Sequence, residues 1–178
     1  MQKSNTGPSP YSHNLSSTQE ELSKQIIVLK YGGHALIDPD SRKSVLQNIC
    51  DLKIKGYLPV LVHGGGPYIK KYLEQMGVES RFVGGHRYTD STMMSAVEIA
   101  LKGEVNPLLV GELNRLGMSA VGLTGKDSRW VRAKKRYHQN PDGSQEDLGQ
   151  VGDIDYIDPQ LIFTLLKMGF LPVIATVS

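Results

Sequence analysis

Apolar residues along this chain fall into two recurring patterns: short unbroken runs, and longer stretches at helical spacing. The runs occupy residues 25–31, 60–62, 119–123 and 170–175, as in Gln25-Ile-Ile-Val-Leu-Lys-Tyr31 and Phe170-Leu-Pro-Val-Ile-Ala175. Compact runs of this kind predict strands buried on both faces, as in a parallel sheet. Between them lie the helical stretches. Asp38-Pro-Asp-Ser41 is a helix-start signal, and Val45, Leu46, Ile49, Cys50, Leu52 and Ile54 then form an apolar face that ends at Gly56. Further helices are predicted over 68–76, over 91–102 and, after a break permitted by Gly103, over 105–115; the last spans 159–168 and closes at Gly169. Residues 78–83 read as a short strand or extended segment, and 84–90 as a polar glycine loop. Strands alternating with helices predict an α/β fold, a three-layer sandwich around a mostly parallel sheet.

Two segments depart from this alternation. Residues 1–24 are polar, with Pro8, Pro10 and many Ser and Asn, and predict a flexible N-terminal extension in which Ser16-Ser-Thr-Gln-Glu-Glu21 carries a helix-cap signal. The remaining 25–178 form one lobe. Within it, the basic run Trp130-Val-Arg-Ala-Lys-Lys-Arg136 leads to the turn signal Asn140-Pro-Asp-Gly143, which predicts a solvated hairpin over about 128–154 with its returning strand at 148–154.

Composition narrows the partners. A length of 178 residues with 39% hydrophobic and 21% charged residues fits a globular chain of one domain or slightly more. A net charge of +2 without an aromatic-and-basic platform argues against nucleic acid. No apolar run reaches membrane-spanning length and the N-terminus lacks a signal peptide's hydrophobic core, so the expectation is a cytoplasmic protein without a membrane partner. The single Cys50 excludes an internal disulfide, and the five histidines are scattered without zinc-type spacing, so no metal site is expected.

Chemistry concentrates at the strand ends. Val62-His-Gly-Gly-Gly-Pro67 reads as strand, glycine turn and helix start, an order that presents bare N–H groups at the positive end of a helix, where an anion is favoured. Lys30 and Gly32-Gly33 close the first strand; an ammonium there is costly unless it faces a ligand crevice, and open α/β sheets place ligands at that edge. Arg87 and Thr89 lie on a third glycine loop. Backbone amides, a lysine and an arginine are what an enzyme needs to hold phosphate and an anionic acceptor during phosphoryl transfer. The common nucleotide P-loop, the dinucleotide fingerprint and the hydrolase nucleophile elbow are all absent from the sequence.

Taken in order, Lys30-Tyr-Gly-Gly33, Val62-His-Gly-Gly-Gly-Pro67 and Gly85-His-Arg-Tyr-Thr-Asp90 resemble the N-terminal half of the acetylglutamate kinases, within the amino acid kinase family. Supporting matches lie at 120–127, 151–154 and 169–175, so the resemblance runs from about residue 26 to 178. It implies ATP-dependent phosphorylation of the side-chain carboxylate of N-acetyl-L-glutamate in arginine biosynthesis, with Mg2+ arriving on ATP and no tightly bound cofactor. It further implies that Lys30 is catalytic and stabilises the transferring phosphoryl group. Gly32, Gly33 and Gly64 would meet phosphate, while Gly65, Gly66 and Arg87 would bind the acceptor, Arg87 through its α-carboxylate. Homo-oligomers, dimers or hexamers, are also implied. Three departures leave alternatives open. His34 stands where the family often has Asn, and Gly84, His86 and Tyr88 flank Arg87 in place of the usual residues, which keeps a related acceptor such as an aminoadipate derivative in play. The family's second-half motifs are absent as well. That predicts a chain truncated before the nucleotide-binding lobe, and with it the alternative of an inactive lobe that only binds ligand or a partner subunit.

Overall fold

A computed structural model describes residues 25–178. The N-terminal extension and its helix-cap signal lie outside the described residues. The central sheet contains β1 (Ile26–Tyr31), β2 (Leu58–His63), β5 (Ala120–Thr124) and β8 (Leu171–Ala175), in the order β1-β2-β8-β5. Every pairing in it is parallel. Burial follows position in that order. All five residues of the inner strand β8 are buried, whereas β1 is an edge strand with Val28 65% exposed. The first apolar run is therefore not buried on both faces: its inward face, Leu29 and Tyr31, joins the core while Val28 and Lys30 face out.

Helices cover both faces and complete the three layers. On one side, α1 (Pro39–Ile54) packs with α4 (Asn106–Arg115) over the sheet, bringing Leu46, Ile49, Leu61, Leu109, Leu113 and Val173 into one core. Asp38 caps α1 by accepting the Ser41 N–H at 2.9 Å, and Pro39 occupies the first turn, where its missing N–H costs nothing. Arg42 of α1 is buried and reaches Glu112 of α4 through paired contacts of 2.9–3.0 Å, while donating to the Leu36 carbonyl at 3.0 Å. On the opposite face, α5 (Gln160–Lys167) places Leu166 against Val60, Leu123 and Ile174.

The middle of the chain differs most from expectation. Helix α2 (Gly66–Gln75) follows the glycine turn directly. Helix α3 (Ser91–Glu98), capped by Asp90 on the Met93 N–H at 2.8 Å, runs on without a break through a π-helical segment, Ile99–Val105, into α4. Gly103 thus sits inside a widened turn. Pro107 has no N–H to return to Gly103, which removes one rung of the α-helical ladder at that place. The segment predicted as short and extended ends in β3 (Phe82–Val83), as expected, but the predicted polar loop contributes a second strand, β4 (His86–Arg87), which pairs with it antiparallel across a turn at Gly84 and Gly85, with φ values of 52° and 80°.

The basic hairpin is longer than its sequence signal suggested: β6 (Val131–Gln139) pairs with β7 (Gln145–Ile157), with two register shifts. Lys134, Lys135 and Arg136 pair with Asp155, Asp147 and Asp153, so the basic run is neutralised by the returning strand. This hairpin holds the β3–β4 pair in place. The Thr89 N–H donates to the Leu148 carbonyl at 3.0 Å, and the Gln150 N–H donates to the Thr89 carbonyl at 2.6 Å. Gly149 permits that approach, because a Cβ there would lie 2.2 Å from the Thr89 carbonyl oxygen.

Candidate active site

The carboxyl ends of the four parallel strands carry the candidate residues, the edge at which such sheets place their ligands. Lys30 is exposed in the last part of β1, in register with Val62 of β2, and has no ion-pair partner among the described residues. Gly32 and Gly33 follow, Gly33 opening a 3-10 turn (Gly33–Leu36) at φ 71°. The Gly64 N–H donates to the Tyr31 carbonyl at 3.1 Å, which zips the end of β2 onto the end of β1. As a result the two glycine turns abut: a Cβ on Gly32 would lie 3.9 Å from the Gly64 nitrogen.

Gly65 is the N-cap of α2 and supplies no side-chain cap, and Pro67 fills the first turn. Neither the Gly65 nor the Gly66 N–H has a hydrogen-bond partner among the described residues. These unspent donors at the positive end of a ten-residue helix are suited to an anion. Gly65 is also sterically required, since a Cβ there would sit 2.6 Å from Leu101 Cδ2 in the π segment.

Arg87 stands apart from these loops. It is half-buried on β4, 5.6 Å above the Phe82 ring, with no ion-pair partner among the described residues. The structure therefore brings Lys30, Gly32, Gly33, Gly64, Gly65 and Gly66 to one edge, with Arg87 on a separate hairpin steadied through Thr89. Beside that hairpin a cavity of about 600 Å3 is lined by Thr89, Met94, Val97, Lys135, Gln150 and Thr176. Thr176 ties this cavity to the glycine edge, for its N–H and hydroxyl both point to the His63 carbonyl, at 3.2 and 3.3 Å. Among the described residues no group of three or more His, Cys, Asp or Glu side chains is placed to hold a metal ion. No described helix is long and apolar enough to cross a membrane.

Sequence reasoning passed over three polar residues at this edge: His63, Asn106 and Thr176. His63 and Asn106 are buried and bonded to each other at 3.0 Å. The available signals were a histidine wedged between a strand and three glycines, and an asparagine interrupting an apolar helical face just before a proline.

The model of the amino acid kinase family matches residues 25–178, which is most of the chain. The chain belongs to the amino acid kinase family. It is 45% identical over 156 residues to the acetylglutamate kinase of Pelotomaculum thermopropionicum, covering 85% of this chain and 53% of that protein. It is 46% identical over 158 residues to the acetylglutamate kinase of Solidesulfovibrio magneticus, covering 86% of this chain and 53% of that one. The chain thus spans about half the length of the curated relatives it matches. Among solved structures, smu.665 from Streptococcus mutans UA159 superposes with a TM-score of 0.70 at 30% identity, over 85% of this chain and 58% of that one. N-acetylglutamate synthase from Neisseria gonorrhoeae shares the fold, with a TM-score of 0.66 at 18% identity over 88% of this chain and 35% of that one.

Proposed function

We propose that this chain supplies the acceptor-binding lobe of a kinase that phosphorylates the side-chain carboxylate of N-acetyl-L-glutamate, with MgATP as co-substrate. The observation that carries the reading is the abutment of the two glycine turns beside a free, exposed Lys30 at the carboxyl edge of the sheet. The identity to acetylglutamate kinases supports the choice of acceptor. In this reading a carboxylate oxygen of the acceptor attacks the γ-phosphorus, a new O–P bond forms, and the bond to the β-phosphate oxygen breaks to release ADP. Lys30 stabilises the charge on the transferring group, with the N–H groups of Gly32, Gly33 and Gly64 around the phosphate. Gly65, Gly66 and Arg87 hold the acceptor, Arg87 by a two-pronged grip on its α-carboxylate. The resemblance implies an adenine site in the half of the family's length that this chain does not cover, which supports reading this lobe as the source of acceptor contacts rather than of the nucleotide pocket.

Calorimetry on the 178-residue chain tests this. N-acetyl-L-glutamate should bind, Arg87→Ala should abolish binding, and Lys30→Ala should leave it nearly unchanged, because a phosphoryl-stabilising charge contributes in the transition state. Arg87→Lys should also weaken binding, since an ammonium cannot reproduce the planar fork. Equal affinity in wild type and Arg87→Ala removes Arg87 from the acceptor site. Binding of an aminoadipate derivative in place of N-acetyl-L-glutamate moves the acceptor to the related class, and tight MgATP binding by this chain overturns the assignment of the lobe.

A further inference from the structure

Beneath the glycine loop lies a buried polar pair. His63, the last residue of β2, is 0% exposed, and Asn106, the first residue of α4, is 6% exposed. The hydrogen bonds fix the state of both. Asn106 Nδ2 is 2.9 Å from the Val173 carbonyl, which can only accept, so the amide must turn its NH2 that way. The same NH2 lies 3.0 Å from His63 Nε2, which must then be an acceptor. The remaining ring nitrogen, Nδ1, carries the proton and donates it to the Gly64 carbonyl at 2.9 Å. A neutral imidazole with its proton on Nδ1 satisfies every one of these contacts.

That last bond bears on the glycine loop. The Gly64 carbonyl and the Gly65 N–H belong to one planar trans peptide and point in opposite directions, and the described backbone has no cis bond. Holding the carbonyl on His63 therefore aims the Gly65 N–H away from His63. The surroundings are shaped for the pair. A Cβ on Gly122 would lie 1.9 Å from Asn106 Oδ1, so glycine makes the space the amide occupies. The π-helical segment ends immediately before Asn106, and its Leu101 and Val105 seat Gly65 from below. Such widened turns recur at functional sites.

We propose that His63 and Asn106 are a positioning pair that sets the orientation of the glycine loop, through the chain Asn106 Nδ2–H to His63 Nε2 and His63 Nδ1–H to the Gly64 carbonyl. The consequence for acceptor binding rests on the function proposed above; the pairing and its hold on the loop do not.

The test uses the 178-residue chain labelled with 15N. Spectra of the wild type at neutral pH should show His63 protonated on Nδ1 alone, and protonation on Nε2 overturns the proposal. His63→Leu removes both bonds, whereas His63→Asn places an amide nitrogen near the Nδ1 position and can keep the bond to Gly64. Backbone order parameters of residues 64–66 should be near ~0.85 in wild type, fall below ~0.6 in His63→Leu, and return toward the wild-type value in His63→Asn. Affinity for N-acetyl-L-glutamate should fall about tenfold in His63→Leu and recover to within about threefold in His63→Asn. Identical behaviour of the two variants shows a space-filling histidine and overturns the proposal. Should the leucine variant fail to fold, Asn106→Leu, which removes the donor to His63 Nε2 and with it the constraint on the tautomer, should lower the order parameters of residues 64–66 below wild type, and unchanged values overturn the proposal. If the wild type binds no acceptor, the functional reading fails, while the tautomer and the order parameters still decide the pair.

Discussion

Replacing Gly65 with alanine separates the steric role of the glycine loop from its backbone geometry. Gly65, at φ 174° and ψ 42°, lies outside the left-handed region. The cost is contact: the new Cβ would lie 2.6 Å from Leu101 Cδ2 and 3.2 Å from Val105 Cγ2. Leu101 is 3% exposed and packs against Ala175 and Val177, so it has little room to retreat. Overpacking of this kind costs about 1–3 kcal/mol. The stiffer unfolded chain of an alanine returns about 0.4–1 kcal/mol. The net expectation is a destabilisation of roughly 0.5–2 kcal/mol. With a urea slope of about 1–3 kcal/mol per M, the unfolding midpoint should drop by roughly 0.5 M. Gly66→Ala is the control. Nothing lies within 4 Å of a Cβ there, and the position begins α2, so the variant should be as stable as wild type or up to about 1 kcal/mol more stable. Urea denaturation followed by circular dichroism reads both. If Gly65→Ala matches wild type while Gly66→Ala is the weaker protein, the seating of the loop on the π segment is wrong.

Two further outcomes follow from buried groups. Glu112→Gln leaves the Arg42 guanidinium without its counter-charge, and with side-chain exposures of 10% for Arg42 and 22% for Glu112 the loss should be about 2–4 kcal/mol by urea denaturation; joint replacement, Arg42→Met with Glu112→Leu, should cost less than Glu112→Gln alone, and a larger cost would contradict this account. Burial holds the His63 imidazole below its ordinary value, only partly opposed by its bond to the Gly64 carbonyl. The unfolded state therefore binds that proton more readily, so stability is full above the unfolded value of about 6.5 and declines as pH falls through it toward the folded value. The urea midpoint should drop between about pH 7.5 and pH 5 in wild type and drop less in His63→Asn; equal slopes would show that His63 is not the group responsible.

Much of the architecture was legible because local pattern and burial agree. Compact apolar runs became the parallel strands, Asp38 and Asp90 start helices as capping residues do, and three glycines between a strand and Pro67 became the uncapped start of α2. The motif order through Lys30, Gly64 and Arg87 was also enough to indicate the family. Where the pattern misled, the cause was non-local. An apolar run states that a strand is capable of burial on both faces; its place in the sheet decides whether it is buried. The order β1-β2-β8-β5 puts β1 at an edge and β8, the last strand in the chain, inside.

The rest belonged to tertiary structure alone. Gly103 reads locally as a helix break, yet packing of Leu101 and Val105 under Gly65 favours a continuous helix with a π turn. The basic strand reads as a solvated cationic face until its register sets Asp155, Asp147 and Asp153 against it. His63 and Asn106 are 43 positions apart, and neither has a sequence signal that names the other. Their pairing exists because a parallel sheet and a widened helical turn bring two polar groups to one dry place. There an unbonded amide or imidazole costs more free energy than any local preference supplies. Sequence periodicity reports which side of an element faces inward, whereas the partner it meets there is set by distances between elements far apart in the chain.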